Sequence, residues 1–335
     1  MKIGIIGCGG MGITHILALK ALAQQMDLEL VAFAERKQAH QKRVLKIWPQ
    51  AKVYEQGKDL LESENLDAVH ICVPSYMHTE YAIMAMKKNM AVLIEKPACL
   101  TESDCEKLLE TEKQTGVSVM VGQVVRYMDE YKYLKEVYDT NKYGQLQSLT
   151  MNRISGVPIW GFDDWFFDTD KSGSVVMDLH IHDIDFMRYM LGEPKEIKAF
   201  GSKIRDGLIN RIVSIGQYDN LTVAVEGLWD SIPELPFEAS FRASFEEATL
   251  VFKSTETPSL TVYEKGKDKF HPKFIKDDIG NAKEAGINIS ELGPYYAEIK
   301  DFYECLTKGQ KIKVAPLIEG IKSVKLALKE YQQCR

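Results

Sequence analysis

The sequence predicts an α/β N-terminal domain with a doubly wound parallel sheet, followed by an α+β domain whose sheet is mostly antiparallel. Over the first 122 residues, short apolar runs alternate with helical patterns, which is typical of parallel strands joined by helical crossovers. A glycine-rich turn follows the first of these runs. Beyond Pro194, short alternating runs are joined by tight turns, which is typical of antiparallel strands. We therefore expect one domain over residues 1–122 and a second over residues 123–335.

The composition bounds the class of protein. The chain has 335 residues, of which 45% are hydrophobic, enough for two separate cores. No segment is apolar enough to span a bilayer, and the first strand pattern leaves no room for an export signal. We therefore expect a cytoplasmic protein without a membrane partner. The six cysteines lack C-x-x-C pairing, so we expect reduced thiols.

The charge balance argues against a nucleic-acid partner. The formal net charge is −6, whereas affinity for nucleic acid depends on a basic surface. The densest run of lysines, from Lys265 to Lys276, is interleaved with acidic residues and is followed by Asp277 and Asp278. This mixture of charges favours a solvated loop.

The glycine-rich turn is a G-x-G-x-x-G motif between a strand, Ile3 to Ile6, and a helix that extends to Ala23. Its residues are Gly7, Cys8, Gly9, Gly10, Met11 and Gly12. Gly7 permits a tight turn, Gly9 lets the backbone approach a pyrophosphate, and Gly12 lets helix and strand pack closely. The helix N-terminus adds N–H groups and a partial positive charge for phosphates. An ordinary glycine-punctuated turn is the alternative.

An acidic residue supports the dinucleotide interpretation. The second apolar strand, Leu30 to Ala34, ends at Glu35, which lies 23 residues after Gly12, where a carboxylate is expected to bind a ribose 2′-hydroxyl. The motif and this carboxylate predict a Rossmann domain that binds NAD. Arg36 keeps NADP as an alternative, since a guanidinium can stack on adenine or accept a 2′-phosphate.

Four further strands complete the predicted parallel sheet. They are Val53-Tyr54, Ala68 to Val73, Ala91 to Ile94 and Val117 to Val121. The intervening helices are predicted near Lys37 to Trp48, from His78 to Lys88, and after a capping Thr101. The ligand of such a sheet lies at the carboxyl ends of the strands.

The second domain is predicted to contain a long helix, a large sheet and two closing helices. The long helix runs from Val175 to Leu191, and the closing helices run from Pro294 to Thr307 and from Pro316 to Tyr331. For the last helix, packing against the first domain is an alternative to packing within the second. The sheet is available to pack on helices or to form a subunit interface.

The long helix carries a candidate acid/base pair. Asp178 and His182 are four residues apart, so they share a helix face, and Asp185 and Tyr189 continue the same stripe. A carboxylate one turn from an imidazole fixes its tautomer and raises its basicity, which suits general acid/base work. A solvated helix face is the alternative, and it accounts easily for Asp185.

A metal site is the weaker interpretation of the same helix. His180, His182 and Asp183 suggest metal ligands, but residues two apart on a helix point about 200° apart. We therefore expect no metal, with His180 as a packing residue.

Three residues near strand ends or the domain junction are further candidates. Lys96 follows a buried strand and precedes a proline, which places its ammonium at the carboxyl edge of the sheet rather than on an ordinary surface. Arg126 has two interpretations, as a contact of an anionic or hydroxyl-rich ligand or as a brace of the junction. His78 likewise either contacts a cofactor ribose or packs at a helix start.

Four motifs together resemble the glucose–fructose oxidoreductase and inositol dehydrogenase family. They are the glycine motif, Val73-Pro74-Ser75-Tyr76-Met77-His78, Glu95-Lys96-Pro97 and Asp178-Leu179-His180-Ile181-His182-Asp183. Their order and spacing match over essentially the whole chain. The sequence departs from the commonest family pattern at His180, where glycine is frequent, and at Ser75, where asparagine is frequent.

The resemblance implies a Rossmann domain, an α+β domain with an open-faced sheet, and NAD or NADP as cofactor. It places a catalytic set on Lys96, Asp178 and His182. It also implies that Pro74, Ser75, Glu95 and Lys96 contribute to cofactor binding. Lys96, Asp178, His182, Arg126 and Trp165 are the expected substrate contacts, and Trp160 and Phe167 are further candidates for an apolar wall against a sugar face.

The activity that the resemblance implies is reversible oxidation of a secondary alcohol on a sugar, a polyol or an inositol-like ring. His182 would remove the hydroxyl proton, Asp178 would orient His182, and Lys96 would stabilise negative charge on the oxygen. We also expect a homo-oligomer, a dimer or tetramer, formed through the C-terminal sheet. The alternatives are a non-catalytic dinucleotide-binding regulator and redox-assisted glycoside cleavage with tightly bound NAD.

Overall fold

The computed structural model describes residues 1–204, 207–275 and 292–334. These residues form two compact units. The first comprises residues 1–127 and 292–322, and the second comprises residues 128–204, 207–275 and 323–334. The sequence division placed residues 292–322 in the second domain, whereas in the structure they group with the first unit. The boundary after residue 122 stays a prediction.

The described residues of the first unit contain a six-stranded parallel sheet in the order β3-β2-β1-β4-β5-β6. The strands are β1 (Lys2–Ile6), β2 (Glu29–Ala34), β3 (Lys52–Tyr54), β4 (Ala68–Ile71), β5 (Ala91–Glu95) and β6 (Val119–Gly122). This order reverses direction at β1 and β4, so it confirms the doubly wound fold and places a ligand crevice at their carboxyl ends.

Helices cover this sheet. They are α1 (Gly10–Leu22), α2 (Gln38–Ile47), α3 (Gly57–Ser63), α4 (His78–Lys87), α5 (Glu102–Thr115) and, late in the chain, α9 (Gly293–Thr307). α5 begins at the predicted cap, since the Asp104 N–H donates to Thr101 Oγ1 over 3.1 Å. Residues 292–322 belong to this unit because α9 packs its apolar side, including Ile299 and Phe302, into the same core as Ile13 and Ile16 of α1.

The second unit has a seven-stranded sheet in the order β13-β12-β11-β7-β10-β9-β8 among its described residues. The strands are β7 (Leu146–Gly156), β8 (Glu196–Lys203), β9 (Ile209–Gln217), β10 (Thr222–Asp230), β11 (Glu238–Phe245), β12 (Ala248–Lys253) and β13 (Leu260–Glu264). Only the β7–β10 pair of this sheet is parallel, which confirms a mostly antiparallel sheet. Alternate residues of β10 are buried, as expected for a sheet covered on one face.

The helices of the second unit include the one that carries the candidate acid/base pair. They are α6 (Asp129–Asp139), α7 (Thr169–Ser172), α8 (Ile181–Leu191) and α10 (Leu317–Gln333), whose first residues belong to the first unit. The single α-helix predicted from Val175 to Leu191 is wrong in its first part. Val176–His180 is a π-helix, in which the Ile181 N–H donates to the Val176 carbonyl five residues earlier. π turns are wider than α turns and occur frequently at functional sites.

The described residues bear on two expectations, the lack of a membrane-spanning helix and the balanced charge of the lysine-rich segment. No helix among them has both the length and the apolar character needed to cross a membrane. Lys265 pairs with Glu247, and Lys267 pairs with Glu264, in agreement with a charge-balanced loop. Lys276, Asp277 and Asp278 lie outside the described residues.

Candidate functional site

The glycine loop between β1 and α1 has a geometry that only glycine allows at two positions. Gly7 has φ +87°, and a Cβ there would lie 2.6 Å from the Cys72 carbonyl oxygen. A Cβ at Gly12 would lie 2.0 Å from the Gly7 carbonyl oxygen. At Gly9, in contrast, a Cβ would meet no atom within 4 Å. The side of the loop at Gly9 is therefore open to a ligand that approaches the backbone, and Gly10 and Met11 begin the helix beside it.

Glu35 lies directly after β2 and is tied to the glycine loop. Its Oε2 accepts from the Cys8 N–H over 2.9 Å, and its Oε1 accepts from the Lys37 N–H over 2.8 Å. His40 Nδ1 lies 3.4 Å from Oε2. Burial, followed by the charge of Glu35, raises the pKa of the Cys8 thiol, so this cysteine stays neutral. Arg36 is exposed beside Glu35.

The segment after β4 joins the segment after β5 through His78. Pro74 precedes a single 3-10 turn, Ser75–Met77, and α4 begins at His78. The His78 side chain is buried, with Nδ1 2.7 Å from the Pro97 carbonyl oxygen and Nε2 2.8 Å from the Val73 carbonyl oxygen. Both ring nitrogens thus face main-chain carbonyls. This geometry supports the packing alternative for His78, and a ribose contact stays a prediction.

Glu95 and Lys96 lie at the carboxyl end of β5, at the predicted edge of the sheet. Glu95 is 6% exposed, with Oε1 3.0 Å from His15 Nε2, and its Oε2 accepts from the Lys96 N–H over 3.1 Å. Burial alone would raise the pKa of Glu95, but the His15 hydrogen bond and the positive charges nearby outweigh it and lower the pKa below its usual range. The Lys96 side chain is partly exposed next to this carboxylate.

Arg126 lies buried within the first unit, and a brace of the domain junction stays a prediction. It is 3% exposed, and its Nη1 donates to the Val314 carbonyl in a short hydrogen bond within the first unit. The neighbouring Tyr127 donates to Asp301 over 2.7 Å. Both bonds hold the end of the first stretch of the unit to its later segment. A role of Arg126 in substrate binding stays a prediction.

In the second unit, Asp178 lies in the π turn, and its Oδ2 accepts from Trp229 Nε1 over 3.2 Å. His182 lies in the first turn of α8, and both side chains are partly exposed. Asp185, which the solvated-face alternative explained, is fully buried and accepts from Ser323 Oγ over 2.6 Å. That explanation of the stripe is therefore wrong for Asp185, because its carboxylate is sequestered by α10.

His180 and Asp183 are each engaged in buried polar pairs. His180 is fully buried, with Nε2 3.1 Å from both Glu330 Oε1 and Ser214 Oγ. Asp183 accepts two hydrogen bonds of 2.9 Å from Arg153. Throughout residues 1–204, 207–275 and 292–334, no three His, Cys, Asp or Glu side chains are grouped to hold a metal ion.

An aromatic cluster, defined here as Trp160, Trp165, Phe166 and Trp229, leads to Asp178. Trp165 stacks on Phe166 at 4.0 Å between ring centroids, and the Trp160 ring, half-exposed, meets Phe166 edge-on at 4.9 Å. Phe166 in turn meets Trp229 edge-on at 5.9 Å. The sequence did not indicate the role of Trp229, because it is 51 residues from Asp178 and its position in the pattern of β10 is that of an ordinary buried strand residue.

Comparisons with known proteins match parts of both units to domains of one family. The family described as "Oxidoreductase family, NAD-binding Rossmann fold" matches residues 1–123, and the "GFO/IDH/MocA C-terminal domain" matches residues 131–246. A myo-inositol 2-dehydrogenase of Thermotoga maritima is 29% identical over 213 residues, which cover 63% of this chain and 61% of that protein. The chain therefore matches about three fifths of that relative's length.

Two further likenesses bear on cofactor and fold. A D-xylose 1-dehydrogenase (NADP(+)) of Haloferax volcanii is 27% identical over 239 residues, covering 71% of this chain and 72% of that protein. The structure of a levoglucosan dehydrogenase in complex with NADH has a TM-score of 0.84, with 99% of this chain and 96% of that chain covered at 17% identity. At this identity the structural likeness confirms the fold.

Proposed function

Because this chain belongs to the glucose–fructose oxidoreductase and inositol dehydrogenase family of oxidoreductases, we propose that it is an NAD-dependent dehydrogenase. Its substrate would be a secondary alcohol of a sugar, a polyol or an inositol-like ring, the class to which the names of its relatives point. The observation that carries the proposal is the glycine loop, which is open at Gly9, where a pyrophosphate would approach the backbone.

The residues around the glycine loop fit a dinucleotide. The N–H groups at the start of α1 would hold the phosphates, and the Glu35 carboxylate would accept from ribose hydroxyls. Pro74, Ser75 and the Glu95-Lys96 pair line the carboxyl ends of the neighbouring strands β4 and β5. When bound, the nicotinamide supplies the hydride acceptor.

The roles in substrate chemistry are proposed for three side chains. His182 takes the proton of the reacting hydroxyl. Asp178 orients the imidazole and raises its basicity, and Lys96 stabilises negative charge on the oxygen. The hydrogen bond from Trp229 supports this scheme, because it helps to fix the position of the Asp178 carboxylate. Arg126 and Trp165 are retained as proposed substrate contacts.

The activity is tested by following NAD reduction with a panel of polyols, sugars and sugar phosphates. Turnover of at least one secondary alcohol, with release of NADH, is the expected result. Cofactor that stays bound and is recycled while a glycosidic bond breaks would favour redox-assisted cleavage instead. Binding of NAD without turnover of any compound would favour a regulator.

The cofactor is expected to be NAD(H) in preference to NADP(H), by about tenfold or more in dissociation constant. The Glu35 carboxylate, fixed by the N–H groups of Cys8 and Lys37, would repel a 2′-phosphate and accept from a free ribose hydroxyl. Titration of both reduced cofactors by fluorescence measures the preference. Glu35→Gln removes the negative charge and should reduce the preference for NAD(H). Tighter binding of NADPH than of NADH by the wild type would contradict the predicted preference.

Trp229→Phe is expected to lower kcat by about tenfold, because it deletes a hydrogen bond to a carboxylate while it keeps an aromatic ring against Phe166. Without that donor the Asp178 carboxylate is held less firmly, so it should orient His182 less well. Kinetics and melting temperature separate the explanations. A lower melting temperature with an unchanged kcat would mean that Trp229 only packs.

The homo-oligomer and the cytoplasmic location stay proposals. The face of the seven-stranded sheet that bears partly exposed residues includes Val213, Ile215 and Leu228, and the edge residue Phe200 is 70% exposed. These apolar side chains, which share the face with the Arg211–Glu226 ion pair, support an interface through this sheet.

A further inference from the structure

A chain of four hydrogen-bonding side chains crosses the interior of the first unit. Glu95 Oε1 lies 3.0 Å from His15 Nε2, His15 Nδ1 lies 2.9 Å from His70 Nδ1, and His70 Nε2 lies 2.7 Å from Tyr303 Oη. His15, His70 and Tyr303 are fully buried, and Glu95 is 6% exposed. The four side chains come from four elements: β5, α1, β4 and α9. We refer to them as the buried network.

One end of the buried network sets its direction. An ionised carboxylate only accepts, so His15 must carry its hydrogen on Nε2 and donate it to Glu95. A neutral His15 then has only a lone pair on Nδ1, so His70 must donate from its own Nδ1. This leaves a lone pair on His70 Nε2, which must accept from the Tyr303 hydroxyl.

The other end of the network requires the same direction. A buried hydroxyl must place its hydrogen on an acceptor, and His70 Nε2 is the acceptor that faces Tyr303 Oη. Three hydrogens, one from each of His15, His70 and Tyr303, thus serve three contacts. Glu95 ionised and both histidines neutral is the one assignment among these side chains in which every contact has a donor and an acceptor and the Tyr303 hydrogen is also placed on an acceptor.

The environment of each group agrees with this assignment. Burial lowers the pKa of His70 well below its usual value, so His70 is neutral near pH 7. Burial also raises the pKa of Tyr303, which therefore keeps its hydrogen. The pKa of Glu95 is lowered, although burial alone would raise it.

Glu95 links the buried network to the predicted reaction site. Its other oxygen, Oε2, accepts from the Lys96 N–H, and a Cβ at Gly122 on the next strand would lie 3.2 Å from it. Gly122 thus leaves room for the carboxylate to turn inward. The titratable groups that face Glu95 are His15 from α1, His78 from α4, Lys96 from its own segment and Cys72 after β4.

We propose that His15, His70 and Tyr303 are positioning residues that hold Glu95 ionised and oriented beside Lys96. Lys96 is expected to contact the reacting oxygen. The network would hold the Lys96 main chain in place through Glu95 and would keep the negative charge of Glu95 beside the lysine. This proposal rests on the proposed function for its consequence in catalysis. Its structural part, the single set of tautomers, stands without any activity.

The structural part is tested by ¹⁵N NMR of the histidine rings in the whole protein near pH 7.5, because protonated and bare ring nitrogens have well separated shifts. The expected result is a hydrogen on Nε2 of His15 and on Nδ1 of His70. His15→Asn and His70→Asn assign the signals. A hydrogen on His15 Nδ1, or an imidazolium at either histidine, would overturn the proposal.

The functional part is tested with Tyr303→Phe and a matched control, Tyr296→Phe. Tyr296 lies on the same helix, is 2% exposed and is outside the network. Tyr303→Phe leaves His70 Nε2 without its donor, so we expect mixed His70 tautomers, a kcat/KM lowered by about tenfold and an acidic limb displaced to higher pH as the pKa of Glu95 rises. Tyr296→Phe should keep the wild-type tautomers and pH profile.

The two possible failures can be told apart. If Tyr303→Phe lowers only the melting temperature and leaves the tautomers and the pH profile unchanged, the network is structural and the positioning role is overturned. If no substrate is turned over by the wild type, the proposed function fails. NADH affinity then replaces kinetics, and equal affinity in Tyr303→Phe and Tyr296→Phe would overturn the positioning role.

Discussion

His182→Ala is expected to lower turnover by roughly 10² to 10⁴-fold, the usual contribution of a general base. Affinity for NAD should stay nearly unchanged, because His182 belongs to the second unit and the glycine loop belongs to the first. The loss should therefore be in kcat. Steady-state kinetics on a substrate from the panel, with cofactor titration and melting temperature for each variant, measure it.

His271→Ala is the matched control, since His271 is an exposed histidine of the same unit and should be replaceable without loss of turnover. Lys96→Ala provides a contrast, because it should reduce turnover and weaken cofactor binding as well. Full turnover by His182→Ala would remove the acid/base role, and Asp178 and His182 would then be a polar pair without a part in the reaction.

Gly12→Ala is expected to abolish measurable cofactor binding. The new Cβ would lie 2.0 Å from the Gly7 carbonyl oxygen, a backbone atom that moves only if the whole loop moves. Overpacking of this kind costs typically about 1–3 kcal/mol in the free energy of unfolding. Denaturant unfolding and NADH titration measure both effects.

Gly9→Ala is the informative comparison, because a Cβ at Gly9 meets no atom within 4 Å. The free energy of unfolding should change by less than about 1 kcal/mol, whereas NADH affinity should fall by about tenfold or more, since the methyl group occupies the space that the pyrophosphate needs. NADH binding by Gly9→Ala with wild-type affinity would contradict this placement of the phosphates.

The fold could be predicted almost completely because it depends on local patterns. The apolar runs near Ile3 and Leu30 became β1 and β2, and Thr101 became the cap of α5. The helix predicted over Val175–Leu191 failed only in its first turn. Whether Ile181 bonds to the residue four or five positions back depends on how the segment packs, and His180 is held there by Ser214 and Glu330 from distant parts of the chain.

The sequence could predict the candidate site only where a local motif by itself specifies what each residue does. Gly7, Gly9 and Gly12 have the distinct environments that their spacing predicted. Asp185, in contrast, was explained as part of a solvated face and is buried against Ser323, 138 residues later. His15 and His70 carried no signal at all, since a histidine in an apolar pattern does not reveal its partner.

The sequence by itself determined the order of strands and helices, the glycine loop and the family, because these depend on residues that are close along the chain. Only the tertiary structure decided that Trp229 donates to Asp178, that Arg126 bonds to Val314, and that Glu95 is joined to Tyr303 through two histidines. The physical reason is that a buried polar group must find a partner wherever the packed chain supplies one, and sequence separation places no limit on that choice.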